Sequence, residues 1–174
     1  INQFDLLRAA LRQRPDIIIV GETRGREAYT LFQAMATGHG GFSSIHADSV
    51  EATLTRLTSS PMDVPKSLIS NSLDLITLQL KIRIGDKSAR RIIQVSEIDG
   101  INDKTGEIKT HEIFKWNPRE DRHEFMGDSV VSAKIKERDG ETDEKINYEL
   151  TKRRLALEWM AKNDIRDHKE VSNN

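Results

Sequence analysis

The chain has 174 residues, enough for one ordinary domain or a core with an appendage, and its 27 basic and 28 acidic residues leave a net charge of -1. Such a balance offers no global field to recruit nucleic acid or an anionic membrane. The absence of cysteine excludes disulfides, thiolate zinc sites and thiol catalysis and fits a reducing cytosol; no apolar run approaches the ~20 residues of a membrane span, and no signal peptide is expected.

Asn2–Gln13 carries Phe4, Leu7 and Leu11 on one face and reads as a helix stopped by Pro15, with arginines toward its C-terminus where the helix dipole favours them. Asp16–Val20 is an apolar run of β-branched residues from Ile17 onward, closed by Gly21, the pattern of a strand buried on both faces. Glu22 stands just past its end. In an open parallel sheet that edge faces the ligand crevice. Arg24 and Arg26 follow in the loop, where they either serve a site or pair with Glu27 and solvent.

Gly25–Thr37 places Ala28, Leu31, Phe32 and Met35 at helical spacing, with Gly38 expected at the C-terminal cap. Gly40–Ala47 reads as a second strand, parallel to the first, ending near His46. Ser49 is the expected N-cap of a helix reaching Ser60, and a short helix follows Pro65. Leu73–Ile84 and Ala89–Ile98 alternate around Gly85-Asp86 and form a hairpin expected to complete the sheet. Asp99-Gly100 and Lys104–Gly106 bracket a connection to a strand over Glu107–Trp116, and Asn117-Pro118 marks another turn. Met126–Val131 fits no single element. From Thr142 the pattern is helical, with Tyr148, Leu155 and Trp159 in one stripe and Leu150, Leu157 and Met160 in a neighbouring one, together expected to bury most of the helix.

Charge is uneven along the chain. Residues 1–100 hold 12 basic and 11 acidic groups, whereas the remaining 74 hold 15 and 17. The second part therefore has more surface and less core. The domain reading is a core portion over 1–100 and a β-strand and helical extension over 101–174.

Two stretches carry a family resemblance. Asp16–Glu27 (DIIIVGETRGRE) resembles the Walker B box, and Thr37–Asp48 (TGHGGFSSIHAD) the histidine box, of the motor ATPases of type II and type IV secretion, type IV pili and the archaellum. The resemblance is dense over residues 4–74, thins afterwards and returns weakly at Leu155, Glu158, Trp159 and Met160. It implies an α/β fold: the C-terminal portion of a RecA-like sheet extended by antiparallel strands and finished by helices. It also implies ATP and Mg²⁺ in the intact protein, a homohexamer, an inner-membrane platform protein as partner, and a cytoplasmic place at the membrane face. No G-x-x-x-x-G-K-[ST] occurs, so the loop that cradles phosphates is missing and the chain, which starts at Ile1, reads as the C-terminal part of a motor domain, inactive alone.

The resemblance makes Glu22 the catalytic carboxylate that orients or deprotonates the attacking water. Arg24, Gly38, His39 and His46 become nucleotide-sensing or binding residues, with His46 on the γ-phosphate side and His39 in a structural or coupling role. Taken alone, either histidine reads as a buried, hydrogen-bonded one. A metal site from Glu22, His39 and His46 lacks a further ligand, so no metal site is assigned. Ser43 or Ser44 beside His46 lacks the spacing of a nucleophile elbow. The basic residues Lys81, Arg83, Lys87, Arg90 and Arg91 read as a solvated strand edge or as a face for a neighbouring subunit. The alternative reading of the whole is a non-catalytic ring-assembly module of the same fold, and a nucleic-acid motor is disfavoured by the neutral charge.

Overall fold

The structure is a computed structural model that describes residues 2–167 and Val171. It is mixed α/β. Element order is α1 (Gln3–Arg12), β1 (Ile17–Val20), α2 (Glu27–Ala36), β2 (Gly40–Ser43), α3 (Val50–Thr58), α4 (Lys66–Ser72), β3 (Leu75–Ile84), β4 (Lys87–Ile101), β5 (Ile108–Asn117), β6 (Arg122–Phe125), α5 (Val130–Asp139) and α6 (Asp143–Lys162). Among the described residues, β1 and β2 form a parallel pair and β3–β6 an antiparallel sheet in sequential order. The hairpin expected to complete the first sheet thus belongs to a sheet of its own.

Local chemistry explains the first elements. Asn2 and Asp5 form a reciprocal capping box at the start of α1. α2 ends in a Schellman arrangement: Gly38, at φ +100°, donates its N–H to Met35 O, and His39 N–H reaches back to Ala34 O. Only glycine takes that φ without strain. The chain then pairs Gly40–Ser43 with Ile17–Val20 in register. Gly41 permits the close approach of β2 to α2, since a Cβ there would meet Met35 Sδ at 2.2 Å.

β1 differs from the two-sided burial expected of it. Ile18 and Val20 are buried with Leu7, Leu31 and Ala34, whereas Ile17 and Ile19 are exposed. Among the described residues, helices α1 and α2 supply apolar packing to one face of this pair. A second cluster joins Ala28, Phe32, Leu57, Met62, Val64 and Ile69, and a third joins Val50, Ile76 and Ile98.

The antiparallel sheet holds two departures from the sequence pattern. Asp99 and Gly100, expected as a turn, lie inside β4 at a register irregularity, where Gly100 adopts φ +83°. β6 was hidden by its polar composition and pairs with β5 through Asn117↔Arg122 to Phe114↔Phe125. In the basic cluster, Arg91 is bidentate to Asp121 at 2.7 Å and Arg83 lies 3.6 Å from Asp86. The side chains of Ile84 and Lys87 lie outside the described residues.

Two compact units divide between Val130 and Val131, and β4 runs through the expected boundary at 100/101. Within the first unit, buried Glu97 accepts hydrogen bonds from Ser129 Oγ and the Val130 amide. In the second unit, Thr142 caps α6 through the Lys145 amide. The expectation that α6 buries most of its surface is overturned, because none of its residues is buried. At 3.6 residues per turn, Tyr148, Leu155 and Trp159 fall on the side opposite Leu150 and Leu157, so no single apolar stripe forms.

Candidate functional site: the C-terminal edge of the parallel pair

The loop after β1 and the loop after β2 are laced together. Thr23 N–H donates to Ser44 O at 2.9 Å, Ser44 Oγ donates to Gly21 O at 2.6 Å, and Gln3 Nε2 on α1 donates to Glu22 O at 2.9 Å. These bonds hold the Glu22 backbone from two sides. They also commit the Ser44 hydroxyl to a carbonyl, so it is not poised as a nucleophile beside His46.

Glu22 is the centre of the arrangement. Its carboxylate lies 2.6 Å from Arg24 Nη2 and 3.2 Å from His46 Nε2. The Arg24 guanidinium holds the Glu22 carboxyl below its ordinary value by hydrogen bond and charge, against a smaller effect of desolvation, and the charges of His46 and Arg56 act in the same direction. Arg24 is raised in return, first by its hydrogen bond to Glu22. A carboxylate so stabilised stays ionised and is a weak base, better suited to orienting water than to taking its proton early.

Glu27 has a different task. Burial alone would raise its carboxyl, but the amides of Arg24, Gly25 and Glu27 together hold it below the usual range. Oε1 accepts from Arg24 N at 2.7 Å and from Gly25 N at 2.9 Å. It therefore satisfies amides at the start of α2 rather than pairing with a guanidinium.

The structure brings Glu22, Arg24 and His46 together and places Gly38 and His39 elsewhere. His46 does not end a strand: β2 stops at Ser43, after which Ser44 turns its carbonyl to Thr23. Gly38 and His39 precede β2 and so lie at the opposite edge of the pair. Four strand residues separate the two ends by ~13 Å. His39 Nδ1 lies 3.0 Å from Ala34 O, a contact that requires the Nδ1–H tautomer and fastens the ring to the end of α2. Glu22, His39 and His46 consequently do not converge, and no cluster of three or more metal-ligating side chains occurs among the described residues.

Sequence reasoning missed Gln3, Thr23 and Arg56. Gln3 and Arg56 act through contacts 19 and 10 residues away, to the Glu22 and His46 carbonyls, and no local pattern marks them.

The parallel pair, the α/β layering and the carboxylate–imidazole edge define a class of strand-edge sites, and the sequence assigns the family. The chain belongs to the Type II/IV secretion system protein family, whose match covers residues 1–167. It is 42% identical over 162 residues to an uncharacterized protein of Methanocaldococcus jannaschii, covering 93% of this chain and 60% of that protein. It is 35% identical over 112 residues to the type IV secretion system protein PtlH of Bordetella pertussis, covering 58% of this chain and 33% of PtlH. It is 46% identical over 74 residues to the type IV pilus assembly ATPase PilB of Pseudomonas aeruginosa, covering 42% of this chain and 13% of PilB. The chain thus spans less than two thirds of each. Among the described residues, no helix is long and apolar enough to cross a membrane.

Proposed function

We propose that this chain is the Walker B and histidine-box portion of a hexameric motor ATPase that couples ATP hydrolysis to secretion, pilus or archaellum assembly. The observation that carries the reading is the convergence of Glu22, Arg24 and His46 at one sheet edge, at 2.6 and 3.2 Å. In this reading residues 1–100 form the ATPase core portion and 101–174 its extension. The motor works at the cytoplasmic face of the membrane, against a platform protein. Similarity to a pilus assembly ATPase and a type IV secretion protein supports the assignment.

The residues present fit one side of a nucleotide site. An ionised carboxylate with a cation and an imidazole beside it suits the water and γ-phosphate side, whereas no Gly-rich loop and lysine to cradle phosphates occur in the chain. When bound in the intact protein, ATP and Mg²⁺ supply the phosphoryl group and its charge neutralisation. Glu22 orients the attacking water, Arg24 sets the carboxylate's charge and direction, and His46 hydrogen-bonds it from the neighbouring loop. Gly38 and His39 sit too far away to touch the same oxygen; their role is to fix the α2–β2 connection and pass its movement along β2.

The test is Glu22→Gln in the intact protein. The amide keeps shape and loses charge, so ATP binding should persist while turnover falls on the order of 10²-fold or more. Turnover near the parent rate would remove Glu22 from the mechanism.

A further inference from the structure

His46 has an exposed side chain, 80% accessible, and follows the end of β2 by three residues. Neither burial nor a strand ladder therefore fixes its ring opposite Glu22. The loop bearing it is held before His46 by the Ser44 bonds to Gly21 and Thr23, and after it by the Ser49 cap, whose Oγ accepts from Ala52 N at 3.0 Å. Between those two anchors Ile45 packs against the second apolar cluster and, among the described residues, Arg56 Nη1 donates to the His46 peptide oxygen at 2.6 Å.

We propose that Arg56 is a positioning residue that holds the His46 peptide against α3 and so keeps the imidazole within reach of the Glu22 carboxylate. α3 is a firm support, since Val50, Thr53 and Leu57 on its inner face are buried while Arg56 projects from its outer face. A guanidinium suits the task because it carries fixed charge and directional donors, and a charge-assisted bond to a carbonyl is stronger than a neutral one. Its charge also acts on Glu22, in the same direction as Arg24. Side chains that orient a site residue often matter as much as the residue, because small displacements are costly in rate. The consequence for turnover rests on the catalytic reading of Glu22 and His46; the consequence for geometry does not.

The experiment has two arms. In the first, Arg56→Ala, Arg56→Gln and Arg56→Lys are made in this chain, and the nuclear Overhauser contact between the His46 ring and the Glu22 side chain is recorded beside the unfolding midpoint. The contact should weaken in the alanine variant with the midpoint nearly unchanged. Lysine, which keeps charge and a donor, should restore most of it, and glutamine, which keeps a donor without charge, should restore less. In the second arm, the same changes in the intact protein should lower kcat about 10-fold in the alanine variant, with KM for ATP little altered. An undiminished His46–Glu22 contact in Arg56→Ala, or in Arg56→Gln should alanine fail to fold, overturns the positioning role. A weakened contact with unchanged kcat keeps the positioning role and overturns the catalytic reading of the pair.

Discussion

The unit ending at Val130 and the helices after it treat their apolar residues differently. In α2, Ala28 and Phe32 are buried in one apolar cluster and Leu31 and Ala34 in another, against the parallel pair. In α6, Tyr148, Leu155 and Trp159 oppose Leu150 and Leu157, and none is buried. Apolar residues stabilise a helix in proportion to the surface its neighbours can cover, so direction around the helix matters as well as number. Polar side chains obey a parallel rule. Glu27 is buried because backbone amides meet it, and Glu22 remains at the surface because its partners are side chains that themselves face water.

Substitutions that break the contrast should rank by burial. Leu31→Ala, at a residue 1% exposed, should cost ~2–5 kcal/mol in chemical denaturation. A loss under 1 kcal/mol would show that the α2 face is not the folded core. Glu27→Ala strands the two amides its Oε1 serves and should cost ~1–3 kcal/mol at neutral pH. Its dependence on pH has a definite sign. A carboxyl held below its unfolded value near 4.5 contributes stability that is present above that pH and is lost as pH falls through the lower, folded value. The gap between parent and Glu27→Ala should therefore narrow below about pH 4.5; a gap that is constant down to acid unfolding would assign Glu27 a packing role alone.

Smaller effects are expected where side chains stay accessible. His46→Ala should leave the unfolding midpoint within about 0.5 kcal/mol while cutting turnover of the intact protein. Should activity merely follow the folded fraction, the sensing role of His46 is lost. Leu157→Ala in α6, at a residue 65% exposed, should change stability least, by no more than a few tenths of a kcal/mol. A loss above ~2 kcal/mol would mean that the helix is covered in solution and would erase the contrast with α2.

Much of the first hundred residues was legible because its signals are local. Pro15 and Gly38 bracket elements through their own backbone preferences, Ser49 caps α3 with its own hydroxyl, and the apolar spacing of α2 selects its inner face. The Walker-B-like and histidine-box runs mark Glu22, Arg24 and His46 by resemblance. Less was legible after Ile98. β6 carries few apolar residues, and α5 has no periodic stripe.

What tertiary structure alone decided was which ends meet. His39 and His46 lie seven residues apart in one run, yet the four residues of β2 put them at opposite edges, and of the two only His46 reaches Glu22. The same holds for Gln3 and Arg56, whose contacts to the Glu22 and His46 carbonyls arise because two helices pack beside the strand ends. Local propensity acts within a few residues of itself. A site assembled from four segments depends on packing, which brings distant residues together through burial of side chains other than their own.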